Sequence, residues 1–434
     1  MFTSLPKIIE PLTMEAEQAS GSTATLADRP KGLDPLIIDL SSDNSTEHES
    51  GSDVQELLQS AVPSTQRAIV TPNVGKTLNM SHQIIPVREP APGEVILRVL
   101  YSGICCSDSL FSQGPLPGYP KQNHIAGHEG IGYIVKSRDF SLVPRNDRLY
   151  GIRYLAWSCR SCTYCLRGLP TSCPYQLNTP KQIPGTFQEY VTVPGSALLE
   201  LPETVSLGTI DLALYAAALC SGSTALMSLR SASICRGDVV IVVGAMGAIG
   251  HLTAMMAKEL LGAKVIGVDL PAKVDRVSSQ ETDRYCDVLL AAPESHEGSV
   301  WDEFHAALLL VCAQLRGKQA GDVTRAAEAV IVTSSSITAF QRLDEYVCDG
   351  GRIVCAGGPK GLNMVSLPLH CVIERNLHLT GNLMGGYDEA LKVIEYIQTG
   401  RIRPQISKVL LEDVPGQMQA MLDCQTVGKV VVCL

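Results

Sequence analysis

The chain lacks a basic excess. Its 434 residues carry 35 Lys and Arg against 44 Asp and Glu, a net charge of −9, whereas a nucleic-acid binder shows a strong basic surplus or stripe. It also lacks any apolar run near the roughly 18 residues of a membrane-spanning helix. The longest candidate, Val239 to Gly250, is short and full of Gly and Ala. The start shows neither early Arg, an apolar segment nor a cleavage site, so no secretory or transit signal is read there. Neither nucleic acid nor a membrane is expected as a partner, and a cytoplasmic location is. Without a secretory signal, the fifteen cysteines are read as reduced thiols or metal ligands rather than disulfides.

What is present is unevenly spread. Residues 1–62 hold eleven acids and only Lys7, Arg29 and Lys31 as bases, which accounts for most of the net charge. With Phe2 as its one aromatic, this segment has too little apolar surface to offset chain entropy and is read as an acidic disordered tail over 1–64. From Thr65 short alternating runs between Gly and Pro predict a β-rich domain over 65–221. Glu94–Tyr101 is one such run, with Val95, Leu97, Val99 and Tyr101 expected on the buried face of a half-buried strand. From Asp238 the order becomes strand, glycine turn, helix, strand, which predicts a parallel sheet over 222–366. Residues 367–434 carry a helix at Asp388–Gln398 and a last strand at Lys429–Cys433. The fold class is α/β.

The densest chemistry is Cys159-x2-Cys162-x2-Cys165-x7-Cys173. Four thiolates in so short a stretch can wrap one tetrahedral zinc, and four protein ligands close the site to substrate. An iron–sulfur cluster is the other metal reading, since thiolates hold those too. A second set is dispersed: Cys105 in Gly-Ile-Cys-Cys-Ser-Asp, His128 in Gly-His-Glu-Gly and Cys220 in Leu-Cys-Ser-Gly. Each alone is a weak sign; together, two Cys and one His match a zinc site with an open fourth position.

Val239–Val243 is followed by Gly244-Ala-Met-Gly247-Ala-Ile-Gly250, then a helix and a second strand that delivers Asp269. Glycines let a pyrophosphate approach the helix N-terminus, and the acid holds ribose hydroxyls. The spacing departs by one residue from G-x-G-x-x-G, but the full context reads as a dinucleotide site. Asp269 would repel a 2′-phosphate, so NAD is expected over NADP.

From about Arg67 to Leu434 these motifs, in this order, resemble the zinc-dependent medium-chain alcohol dehydrogenases, most closely the yeast-type tetrameric branch. The resemblance implies a GroES-like catalytic domain completed by the C-terminal segment, a Rossmann NAD domain between, two zinc ions per subunit and a homo-oligomer, tetramer or dimer. It implies that Cys105, His128 and Cys220 bind catalytic zinc, with Glu129 beside it and Asp108 orienting a ligand. Cys159, Cys162, Cys165 and Cys173 would hold structural zinc. Ser107 would bond the oxygen of an alcohol or aldehyde substrate, Thr224 would touch nicotinamide, Lys273 would lie near the adenosine ribose, and Lys429 would reach the pyrophosphate.

Three positions depart from that pattern. Leu110 stands where the yeast-type proton relay has histidine, so the proton is expected to leave through ribose hydroxyls or water. Gly385-Gly-Tyr387 replaces a segment with a pyrophosphate-binding Arg. Phe111–Pro115 and Tyr154 replace a Trp pair, which predicts a pocket wider than ethanol needs. The alternative function is a catalytically weakened relative serving as a binding or regulatory protein. In the tail, Pro35-Leu-Ile-Ile-Asp-Leu40 with its acidic flank resembles a SUMO-interacting motif, against the simpler reading of a chance apolar patch.

Overall fold

The computed structural model describes residues 62–434 apart from 115, 209–210, 318–324 and 359–363. The acidic tail up to residue 61, with its expected disorder and the Pro35–Leu40 patch, therefore lies outside the described residues. Among the described residues no helix is long and apolar enough to cross a membrane.

Two sheets carry the architecture. The first is mainly antiparallel and runs in the order Leu199–Glu200, Arg145–Ile152, Gly130–Ser137, Glu94–Gly103, Lys429–Cys433, Ile406–Leu410, with Tyr190–Pro194 also paired to Glu94–Gly103. The last strand thus sits beside one of the earliest, Val431 opposite Gly103, and the C-terminal segment completes the β-rich half. Glu94–Gly103 is not half-buried. Ile96, on the face opposite Val95 and Leu97, is also fully buried, because neighbours pair on both edges and the other face is covered too.

The second sheet is wholly parallel: Val288–Ala291, Lys264–Asp269, Val239–Val243, Ala327–Val332, Val347–Cys355, His378–Gly381. Val239–Val243 is buried at every position, as a central parallel strand covered on both faces must be. The sixth strand, His378–Gly381, extends this sheet past the boundary expected at 366. Helix Gly250–Leu261 follows the first of these strands in sequence and ends at Gly262, whose φ of 66° is left-handed, a conformation glycine adopts without a Cβ clash. The reversal of strand order lies between Val239–Val243 and Ala327–Val332, and in open parallel sheets ligands bind at the carboxyl ends of strands at such a point.

A helical run from Ala213 to Ala232 links the halves, and its middle, Ala218–Gly222, is a π-helical turn. π-Turns concentrate at functional sites because the extra residue per turn re-aims a side chain. Here that turn carries Cys220.

Candidate active site and metal centres

The four-cysteine lobe is a local structure. Cys162 precedes the one-turn helix Thr163–Leu166, and Cys173 follows the short 3-10 turn Pro170–Ser172. The four Sγ atoms lie within 4.8 Å of one another, with Cys159 Sγ 3.9 Å from Cys165 Sγ and 3.6 Å from Cys173 Sγ. Tetrahedral Zn–S bonds of about 2.3 Å place sulfurs roughly 3.8 Å apart, which the two Cys159 separations match, so the donor set and spacing fit zinc. None of these cysteines is in a disulfide. Backbone N–H groups of Ser161 and Cys162 draw the Cys159 thiol down to about 6, which pre-forms the thiolate a metal requires.

The second centre is assembled from distant segments. Cys105 caps helix Cys106–Ser112, and the Asp108 side chain closes that cap by accepting the Cys105 N–H at 3.0 Å. The other Asp108 oxygen accepts the Gly127 N–H at 3.0 Å and faces His128 Nδ1 at 2.8 Å. That contact fixes the imidazole and turns Nε2 toward the cysteines, the arrangement that raises a ligand's basicity. Cys105, His128, Glu129 and Cys220 bring one ligand atom each within 4.8 Å of the rest. The hydrogen bond from Cys220 holds the Cys105 thiol well below its usual range, and the Cys220 thiol is pushed up in return. Burial opposes a charged His128, yet Asp108 keeps its pKa well above normal. Glu129 Oε2 is buried without a partner. A thiolate, a polarised imidazole and an orphaned carboxylate oxygen around one point are the donor set of a divalent cation, and two Cys plus one His select zinc.

Lys429 corrects an expectation. Its ammonium is fully buried, bonds the Glu129 carboxylate, and donates to Ile104 O at 2.9 Å and Ser221 Oγ at 3.2 Å. A buried ammonium must satisfy its donors nearby, so Lys429 neutralises Glu129 instead of reaching a pyrophosphate. Burial raises the Glu129 carboxyl to about 7 despite the lysine.

A cavity of about 380 Å³ joins this centre to the end of the parallel sheet. Cys105, Ser107, His128 and Cys220 line it at one end; Gly244, Gly247, Asp269 and Lys273 line it at the other, and Thr224 contributes to the wall. Ser107 Oγ lies 3.2 Å from Cys105 Sγ. Thr224 Oγ1 donates to Cys220 O at 2.8 Å, a bond back into its own helix. A Cβ on Gly250 would fall 1.9 Å from Gly244 O, so the turn closes only with glycine there. Asp269 accepts the Met246 N–H at 2.7 Å and the Leu270 N–H at 2.8 Å, and Lys273 Nζ stands 3.7 Å away. Leu110 also lines the cavity, whereas Gly385, Gly386 and Tyr387 do not.

Two residues without a motif prove structural here. Arg153 is buried and spans from Leu219 O at 3.2 Å to Gly385 O at 2.6 Å, tying the turn that carries Cys220 to the C-terminal segment. Tyr119 Oη lies 3.0 Å from Tyr154 Oη. Neither carries a sequence signal, because each acts through a partner far along the chain.

A parallel dinucleotide-type sheet joined to a β-rich half, with a Cys–His centre in the cleft and a four-cysteine lobe outside it, defines a two-centre metal-dependent oxidoreductase architecture. Residues 91–203 match the alcohol dehydrogenase GroES-like domain. The chain is 28% identical over 383 residues to alcohol dehydrogenase 2 of Emericella nidulans, covering 86% of this chain and 98% of that one. Its fold is similar to a cobalt- and zinc-bound thermostable alcohol dehydrogenase from Pyrobaculum aerophilum, with a TM-score of 0.68 at 24% identity over 85% of this chain and all of the other. It is likewise similar to acetophenone reductase from Geotrichum candidum in complex with NAD, with a TM-score of 0.67 at 21% identity over 86% of this chain and 99% of the other. Over residues 91–203 the chain carries a GroES-like domain of the alcohol dehydrogenase type, and over most of its length it is similar to alcohol dehydrogenases.

Proposed function

We propose that this protein transfers a hydride between an alcohol and NAD, giving an aldehyde or ketone and NADH with release of one proton, reversibly. The carrying observation is that Cys105, His128 and Cys220 meet at one end of a cavity whose other end is the glycine turn and Asp269. Zinc held by Cys105, His128 and Cys220 supplies Lewis-acid polarisation of the substrate oxygen. Ser107 offers the substrate oxygen a hydroxyl hydrogen bond. Asp108 orients His128, and the Lys429–Glu129 pair balances charge behind the ligands. Leu110 provides no base, so with NAD bound a proton leaving Ser107 would have ribose hydroxyls or water as its acceptors. With NAD bound, the Gly244, Gly247 and Gly250 turn would admit the pyrophosphate, Thr224 would face the nicotinamide, and Asp269 would hold the ribose with Lys273 beside it. Cys159, Cys162, Cys165 and Cys173 hold the second zinc. The intact ligand set argues against a merely binding or regulatory relative.

The test is metal analysis of the purified protein with NADH absorbance over a panel of alcohols and aldehydes, using NAD and NADP. About two zinc per subunit and a kcat/KM at least about tenfold higher with NAD are expected, because Asp269 disfavours a 2′-phosphate. No absorbance change with any substrate, zinc and NAD being bound, would sink the assignment.

The division of labour places substrate in 65–221 with the C-terminal segment and cofactor in the half between. A homo-oligomer fits the sheet edge: His378–Gly381 is exposed throughout, and Leu369, Ile373 and Leu383, near it in sequence, are exposed as well, and such an edge templates pairing. A cytoplasmic location fits the unpaired cysteines. A SUMO-type contact through Pro35–Leu40 rests on sequence pattern alone, and a peptide spanning 34–49 tests it by chemical-shift changes in SUMO.

A further inference from the structure

One wall of the substrate end is built from stacked rings. Phe111 and Tyr154 both line the cavity, with centroids 5.8 Å apart and planes 11° apart. Each meets the His128 ring edge-on at 5.9 Å. Tyr119 is not a lining residue, yet its ring stacks on Phe111 at 4.8 Å and 14°. Its hydroxyl pairs with that of Tyr154 at 3.0 Å. That pair gives the Tyr154 hydroxyl a partner that does not line the cavity, and the Tyr154 ring lies nearly parallel to Phe111. Phe111 and Tyr154 thus present aromatic rings beside His128, and Leu110, Leu383 and Met384 are further apolar lining residues of the cavity. The only Asp, Glu, Lys or Arg among the described lining residues are Asp269 and Lys273, both in the cofactor half.

We propose that this end of the cavity selects neutral alcohols and aldehydes whose carbon skeleton is flat and conjugated, and that Tyr119 is the positioning residue that sets the preference. The inference rests on the alcohol–NAD reading above. A flat ring gains offset-stacked or edge contacts with Phe111 and Tyr154 that a puckered ring of equal size does not. A flexible chain additionally loses rotamer freedom on immobilisation. A charged substituent would lose its hydration with no Asp, Glu, Lys or Arg lining this end of the cavity to meet it.

Reactive substrates differ in intrinsic oxidisability, so the decisive probes are two unreactive carbonyl analogues of matched size: benzamide, which is flat, and cyclohexanecarboxamide, which is puckered. Calorimetric titration into the full-length, zinc- and NADH-loaded protein should show benzamide bound about tenfold more tightly. Tyr119→Phe keeps the stack on Phe111 and removes the hydroxyl pair. It should lower the preference about threefold at unchanged zinc content and unchanged NADH affinity. Tyr154→Leu, which keeps apolar bulk without a ring, should abolish the preference. Equal affinities in the unsubstituted protein overturn the substrate class, and a full preference in Tyr119→Phe overturns the role of Tyr119. A protein that turns over simple aldehydes with NADH yet binds the two amides equally refutes this inference alone. Failure to turn over every aldehyde refutes the reading beneath it.

Discussion

The two metal centres use the same ligand chemistry in opposite ways. The four-cysteine lobe draws all its ligands from one short stretch, with Cys159, Cys162 and Cys165 only partly buried. The second centre draws Cys105, His128 and Cys220 from three distant segments and encloses them, with His128 and Glu129 essentially inaccessible. Segments close in sequence meet at little entropic cost, and the metal then supplies the stability that so small a core cannot. Segments far apart meet only if the whole fold brings them together, so there the fold supports the metal. One cluster is built within a single short stretch of chain, and the other lines the cavity.

The sharpest test of this contrast removes one ligand from each. Cys220→Ser should leave a folded, NAD-binding protein with one zinc per subunit and kcat reduced on the order of a thousandfold or more. Metal analysis with circular dichroism and kinetics checks this, and retained activity would overturn the ligand assignment. Cys162→Ser should also lose one zinc but behave differently. Unfolding should become easier by about 3 kcal/mol or more, seen as a lower denaturation midpoint, while the surviving zinc stays with the catalytic centre. If the two variants are equally unstable, the division between a folding centre and a folded centre is wrong.

The buried half should also answer to acid through histidines, which the lobe does not contain. Residues 155–188, around the lobe, contain no histidine. By contrast, burial pushes His124, near Asp108, and His251, on the dinucleotide helix, down to about 4 from 6.5. Below about pH 6.5 the unfolded chain takes up protons at both positions while the folded chain stays neutral there. Stability is therefore fully present above pH 6.5 and falls toward pH 4, by about 3 kcal/mol for each histidine. Denaturation midpoints of the unsubstituted protein and His251→Gln, compared across that window, should show a shallower decline in the variant. Parallel declines would count against a neutral buried His251.

A smaller effect probes how the buried centre is held. Asp108→Asn keeps the shape but weakens the hold on His128 Nδ1, and metal affinity at that centre should fall about 10–100-fold. Competition with a chelator would measure it, with the lobe's zinc as internal control. An equal loss from both centres would mean that Asp108 supports the fold generally.

The same contrast explains what could be read in advance. Cys159 to Cys173 and the run from Val239 to Asp269 were legible because their physics is local. Thiolate spacing, a glycine turn and a buried β run each act within a few residues. Glu94–Gly103 was legible as a strand but not in its burial, since Ile96 is covered by elements elsewhere in the chain. The sixth parallel strand, His378–Gly381, gave no signal because all four residues are exposed and it pairs along one edge. Lys429 misled for a related reason. Its place before the last strand is a sequence property, but the direction of its ammonium depends on Glu129, which lies 300 positions away.

The amino-acid sequence by itself determined the fold class and the residue types gathered in both Cys-containing clusters, because each depends on residue identity, local spacing and order along the chain. Only the tertiary structure decided that Lys429 neutralises Glu129, that Arg153 ties the Cys220 turn to Gly385, and that Tyr119 pairs with the Tyr154 hydroxyl. These are contacts between segments far apart in the chain, where burial, not local spacing, selects the partner: a desolvated charge or hydroxyl must bond whatever the fold places beside it.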